Sequence, residues 1–385
     1  MKMKTKQEVL SENLKEWLAT KPYSKERRLL TKRLAGTIKV YARSIGRSMR
    51  RLQLKDKTIP EHRGRPKLYT KDAESALNEL WQAMDYPCAE LMHPMLDEYI
   101  SAFVHEKRWT YGLETEALVK GISIGSLKQR IAAWRERVGT TRGYSATVPS
   151  MLKDLIPVRK SHTWAELPIG YLQTDSVVHC GDLLTSDVIY SVGAVDFRSY
   201  WSEYTAQWNK GEEATKESLT TIRERFPFTW NELHPDSGNE FINYHVKRWA
   251  DTNHIDMTRS EPYKKNDNMC IEERNNNIPR RHLGYVRMDG KTLVPLVSEI
   301  LQVACLIHNH FRPVRRMVKK ERRGARWHRT YEKVAKTPYQ RILDDAEVSQ
   351  KIKRGLRAEH KKLNPLQLGQ ELDRLKTQLS KRLSK

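Results

Sequence analysis

Three carboxylates in the middle of this sequence have neighbours that mark them for chemistry. Asp175 lies inside the run "GYLQTDSVVHC", where Leu172, Val177 and Val178 predict a largely buried strand. A carboxylate in such a strand costs several kcal/mol unless something pairs with it. Asp236 sits in "HPDSGNEF", at the end of another predicted strand. There Ser237 and Gly238 allow a sharp turn, and strand ends of α/β sheets are where sites form. Glu272 belongs to "KKNDNMCIEERNNN", with 35 residues between it and Asp236. Three hard oxygen ligands brought together make a site for Mg²⁺ or Mn²⁺ rather than for a softer metal. Two such ions roughly 3.5–4 Å apart activate a nucleophile on one side of a phosphate and stabilise the leaving oxygen on the other, which is phosphodiester chemistry.

Other candidates for these roles are weaker. Asp187 and Asp196 border predicted turns and suit solvated or structural positions. Asp267 suits the N-cap of the helix bearing Glu272. Glu273 points about 100° away from Glu272 on that helix, so only one of the pair can face Asp236. His179, His308 and His310 lack partners at zinc-ligand spacing, and Cys88, Cys180, Cys270 and Cys305 form no paired motif. Free thiols in a reducing compartment are expected.

The elements that must position the carboxylates follow from periodicity. "GYLQTDSVVHC", "VIYSVGAVDF" and "YWSEYTAQ" are β-branched and aromatic runs separated by turns, as in three consecutive antiparallel strands. A helical stretch "EEATKESLTTIRERF" comes next, followed by a strand "WNELHPD", a helix "NEFINYHVKRWADTNH" and a short strand "IDMTRSE". This order suits a mixed sheet flanked by helices. "TLVPLVSEILQVACLIHNHF" is apolar enough for a core helix.

The spacing and neighbours of these carboxylates resemble the DDE transposases of bacterial insertion sequences and retroviral-type integrases, over roughly residues 145–345. "LQTDSVVHCG" resembles the first-Asp strand, "HPDSGNEFIN" the second-Asp turn, "TRSEPYKKNDNMCIEERN" the segment of the final Glu, and "AKTPYQRIL" the closing segment. The resemblance implies an RNase H-like α/β core, a five-stranded mixed sheet flanked by helices, over 166–312. It implies Asp175, Asp236 and Glu272 as ligands of two Mg²⁺ or Mn²⁺ ions, with Asp175 bridging both. Lys264, Lys265, Asn266 and Asn268 match positions used near the DNA backbone, and Asn268 lies one helical turn before Glu272. Where such transposases often show Glu-Gln-Lys-Asn, this chain has Glu272-Glu273-Arg274-Asn275. Arg274 can meet a phosphate, whereas Glu273 adds an unexplained charge. The implied activity is cleavage of element ends and joining of their 3′-OH to target DNA, with double-stranded DNA as partner and a homo-oligomer to hold two ends.

The flanks agree with a polyanionic partner. The formal charge is +23, and residues 1–70 carry 20 Lys and Arg against 6 Asp and Glu. Residues 311–385 carry 23 against 8, which leaves residues 71–310 mildly acidic. Basic arms around an acidic centre suit nucleic acid, although charge runs also serve solubility. An N-terminal helical region, 1–60, resembles a DNA-binding helix-turn-helix, with a turn expected near Gly36 and a second helix carrying Lys39, Arg43, Arg47, Arg50 and Arg51 toward DNA. A second helical region, 61–140, offers a helix-turn-helix or a plain helical hairpin over residues 113–138. Its second helix is expected to open at Ser126 and expose Lys128, Gln129 and Arg130. A basic linker, 141–165, leads to the core. A basic, mainly helical tail, 313–385, begins with Arg315 and Arg316 and ends in a stripe of Leu368, Leu372, Leu375, Leu379 and Leu383, suited to packing on the body or on a second copy. No run approaches the roughly 18 apolar residues of a membrane span, so no membrane partner and a cytoplasmic, nucleoid-associated location are expected.

Overall fold

The computed structural model describes residues 6–55, 68–135, 157, 167–182, 187–235, 240–259, 268–323 and 326–384. The chain divides into two compact units, Met1–Leu68 and Tyr69–Lys385.

The first unit gathers α1 (Lys6–Glu12), α2 (Leu14–Ala19), α3 (Lys25–Ile38) and α4 (Ala42–Lys55) around Trp17, Leu30, Leu34, Ile45 and Met49. Ser24 caps α3 by accepting the Arg27 N–H, and Lys39 ends it in the left-handed conformation. The turn expected near Gly36 therefore lies three residues later. Leu34 and Ile38 carry the apolar stripe of α3 straight past Gly36, where a side chain would meet only open space. On α4, Arg43, Arg47, Arg50 and Arg51 are exposed opposite buried Ile45 and Met49.

The second unit begins with α5 (Lys71–Ala83), α6 (Ala89–Met92), α7 (Leu96–His105), α8 (Leu113–Lys120) and α9 (Ile124–Arg135). The turn between α8 and α9 is Gly121–Ser123, and the hydroxyl of Ser123 accepts the Ser126 N–H at 3.2 Å. The helix thus opens two residues before Ser126, because Ser123 does the capping. These helices share an apolar core with Phe311 and Leu366, far on in the sequence.

The centre of this unit is a mixed sheet of β1 (Tyr171–Val178), β2 (Ile189–Asp196), β3 (Ser202–Trp208), β4 (Glu232–Pro235) and β5 (Asp256–Met257), in the order β3-β2-β1-β4-β5. β1 runs antiparallel to β2 and parallel to β4, so β1 is central. The five-stranded mixed sheet with flanking helices expected of an RNase H-like core is present. α10 (Glu212–Arg225) and α11 (Tyr244–Thr252) follow β3 and β4, and a cluster including Leu219, Ile222, Val246 and Ala250 packs them against Leu172, Val192 and Leu233 of the sheet.

α12 (Met269–Asn275) continues through a π turn, Asn276–Arg280, into the short α13 (Arg281–Leu283). α14 (Val294–Phe311) is long and apolar enough to cross a membrane, yet Val297, Ile300, Leu301 and Ala304 pack into the core with Ile189 and Tyr204. After it come β6 (Met317–Arg323) and β7 (Arg326–Tyr331), an antiparallel ribbon in a region expected to be helical. Its described side chains are mostly exposed and basic, so no apolar stripe announces it in sequence. α15 (Pro338–Asp344) opens on a capping box between Thr337 and Gln340, inside the expected closing segment. α16 (Gln350–His360) and α17 (Pro365–Leu383) complete the chain. Leu372, Leu375 and Leu379 bury themselves beside α14, so the leucine stripe packs on the body of its own chain.

Candidate active site

Asp175 sits in the middle of the central strand and is half-buried. One carboxylate oxygen accepts the Ser176 N–H at 2.7 Å, and the other accepts Asn275 Nδ2, also at 2.7 Å. Bonds of this length to a carboxylate are charge-assisted and fix its orientation. Asn275 is the last residue of α12, so this bond ties the helix of Glu272 directly to the strand of Asp175.

The start of the helix is held by the same strand face. Side chains two apart on a strand share a face, which puts Gln173 beside Asp175. The Gln173 side-chain carbonyl accepts both the Cys270 and Ile271 N–H groups, at 3.1 and 3.2 Å. Those donors would otherwise be orphaned at the first turn. Gln173 and Asp175 thereby clamp the two ends of a seven-residue helix. Glu272 lies between the clamped ends, three residues before Asn275, and residues at that spacing are neighbours on a helix surface. Glu272 is exposed, while Ile271 is buried.

A third strand supports the clamp. Asp175, Gly193 and Tyr204 form one row across β1, β2 and β3. The ring of Tyr204 lies over Gly193, so close that a Cβ there would come within 2.1 Å of the ring. Only glycine permits this approach. The Tyr204 hydroxyl crosses to α12 and donates to Asn275 Oδ1 at 2.8 Å. That bond fixes which way the Asn275 amide faces, with its NH₂ group toward Asp175. Gln173, Gly193, Tyr204 and Asn275 were not singled out as site residues in the sequence. Period two beside Asp175 was a signal for Gln173 and the final Asn of Glu-Glu-Arg-Asn for Asn275, whereas Gly193 and Tyr204 required the strand register.

The other sequence candidates fall as follows. Asp236, Lys264, Lys265, Asn266 and Asp267 lie outside the described residues; β4 ends at Pro235, paired with Thr174, the neighbour of Asp175. Asn268 is buried at the N-cap of α12. Among the described residues no cluster of three or more His, Cys, Asp or Glu forms a metal site. The donor set that is described, an oriented carboxylate and a glutamate on the adjoining helix, fits an oxygen-preferring divalent ion. Glu273 is exposed and accepts Asn277 Nδ2 at 2.6 Å. Asp196 is wholly buried and accepts from the Gly170 N–H and from both Ser199 donors, a structural role, with burial pushing its pKa up to about 6. His179 is likewise structural: it contacts Ser191 at 2.7 Å, and burial lowers its pKa to about 3.

The expected DNA contacts divide by exposure. Lys128 and Gln129 are exposed, Lys128 pairing with Glu90 at 2.7 Å. Arg130 is turned inward, bonded to Glu74 and stacked on Tyr69. Arg315 is half-exposed and donates to the Glu332 carbonyl at 2.6 Å. Arg316 spends its guanidinium on the carbonyls of Phe197 and Arg198. Arg274 is 2% exposed, inside the protein rather than on its surface, because two residues on from Glu272 the helix turns toward the core.

No protein-family model matches the chain. It is 25% identical over 258 residues to the uncharacterized protein y4rM of Sinorhizobium fredii, covering 67% of this chain and 74% of that protein. Among solved structures it is similar to the catalytic core domain of BIV integrase, at 18% identity and a TM-score of 0.31, over 46% of this chain and 94% of that one.

Proposed function

We propose that the protein is a DDE-type polynucleotidyl transferase, a transposase that cleaves the ends of a DNA element and joins their 3′-OH groups to target DNA. The observation that supports this reading is the clamp that fastens the helix bearing Glu272 to the central strand bearing Asp175, two segments separated by nearly a hundred residues of sequence. Asp175, Asp236 and Glu272 would hold Mg²⁺ or Mn²⁺, which when bound lowers the pKa of a hydroxyl nucleophile and stabilises the leaving oxygen. The Ser176 N–H and the Asn275 amide hold the Asp175 carboxylate in one orientation. Gln173 holds the helix of Glu272 against it. The exposed arginines of α4 and the basic ribbon β6–β7 supply salt-dependent affinity for phosphates. Holding two DNA ends calls for self-association on DNA.

Strand transfer with pre-cut ends from the DNA flanking the gene tests the reading. Joined product that depends on Mg²⁺ and disappears in Asp175→Asn is expected. Hydrolysis without joining would instead indicate a nuclease on the same fold, and DNA binding with no cleavage at all would indicate a regulator.

A further inference from the structure

A pocket of about 450 Å³, whose lining does not include Glu272, opens beside α12 between the residues after α5, the end of α14 and β7. Arg274 and His308 line it, at 2% and 1% exposed. Arg274 Nε and Nη2 and both ring nitrogens of His308 are buried without hydrogen-bond partners. The nearest carboxylate to Arg274 is Glu273, at 3.8 Å, and the Tyr200 ring lies 5.7 Å from the guanidinium carbon. A buried guanidinium so weakly compensated is unfavourable until an anion meets it.

The remaining wall keeps the charge positive. Arg281 and Arg312 both bind Asp85, so one carboxylate serves two cations. Arg315 shares Glu90 with Lys128. Two aromatic residues in the lining, Tyr86 and Tyr331, are 49% and 42% exposed. Guanidinium forks suit phosphate, and exposed aromatic faces suit a nucleobase. The volume falls in the range of small-ligand sites.

We propose that this pocket binds a nucleotide, its phosphate on Arg274 and its base against the two exposed tyrosines. The source is either a free nucleotide or one nucleotide of a bound strand. Neither Asp175 nor Glu272 lines the pocket, and its test reads ligand binding rather than cleavage, so failure of either reading leaves the other standing.

The test is binding by the full chain of dAMP, inorganic phosphate and a short single-stranded oligonucleotide, read by calorimetry and by the ligand-induced rise in Tm. Arg274→Met should weaken nucleotide binding at least tenfold while leaving the ligand-free Tm unchanged or higher, since an apolar side chain of similar length replaces a poorly paired buried charge. Glu273→Gln, which removes the competing carboxylate, should tighten binding several-fold, and it carries the test alone should Arg274→Met fail to fold. Arg274-dependent binding of dAMP supports a free nucleotide; such binding by the oligonucleotide alone supports a strand nucleotide. No binding by the wild-type chain at millimolar ligand, equal binding of phosphate and dAMP, or affinities unmoved by both variants would overturn the proposal.

Discussion

Replacing Asn275 by alanine removes both bonds that fasten the end of α12 to the sheet. The bond to Asp175, at 2.7 Å and charge-assisted, is worth about 1.5–3 kcal/mol. The Tyr204 hydroxyl, on a fully buried residue, loses its acceptor at a cost of about 1–3 kcal/mol. Asp175 is only half-buried and can recruit water, so a total of about 2–4 kcal/mol is expected, lowering Tm by roughly 4–10 °C. Catalysis should suffer more than stability. On the proposed function, a freed Asp175 carboxylate and a loosened Glu272 helix would displace the proposed ligands by an amount of order 1 Å, which costs about a hundredfold in rate. The assay is Mn²⁺-dependent nicking of supercoiled DNA at a temperature where wild type and variant are both folded, with Mn²⁺ titrated. The half-saturating Mn²⁺ concentration should rise along with the loss of rate. Asn275→Asp should keep the acceptor for Tyr204 but set a second carboxylate against Asp175, so its Tm should recover in part while its metal affinity stays low. Wild-type nicking and Mn²⁺ dependence in Asn275→Ala, accompanied by the expected fall in Tm, would refute the reasoning and make the clamp purely structural.

Further perturbations address the rest of the site and fold. Asp175→Asn should reduce cleavage by at least a thousandfold with DNA affinity retained, measured by nicking and by fluorescence anisotropy. Gly193→Ala drives a methyl group into the Tyr204 ring and should lower Tm by more than Tyr204→Phe, which only deletes the hydroxyl. Glu203 is buried beside Trp201 and Asn309, and burial raises its pKa to about 8. The folded state therefore holds a proton that the unfolded state releases near pH 4.5. The stabilising effect of that proton is complete at lower pH and is lost as pH rises toward 8, at up to about 1.4 kcal/mol per pH unit. Glu203→Gln should flatten this slope in denaturant unfolding, and an unchanged slope would assign it to other groups. Changing Arg326 and Arg329 on the exposed ribbon to Gln should weaken DNA binding and reduce the salt slope by about 2 if each meets one phosphate; an unchanged slope would remove the ribbon from the interface.

Local sequence determined much of this protein. The alternation in "GYLQTDSVVHC" and "VIYSVGAVDF" and the helical period of "EEATKESLTTIRERF" set the order of strands and helices, because side-chain period is a property of neighbouring residues. The residue types and the 35-residue interval marked Asp236 and Glu272, and a charge in an apolar strand marked Asp175. The basic ribbon escaped notice, since a hairpin without a buried face leaves no period to read. The sequence also pointed to Glu272 over Glu273 through its 35-residue interval from Asp236, one helical step allowing only one of the pair to face the same way. Only the tertiary structure decided how the strand of Asp175 and the helix of Glu272 are held together. The row Asp175–Gly193–Tyr204 exists because strands distant in sequence pair in one register, and Asn275 and Gln173 act only once α12 lies across that row. It also decided that Arg274 turns inward: residue type marked a cation suited to phosphate, but packing of the helix selected the face on which it lies.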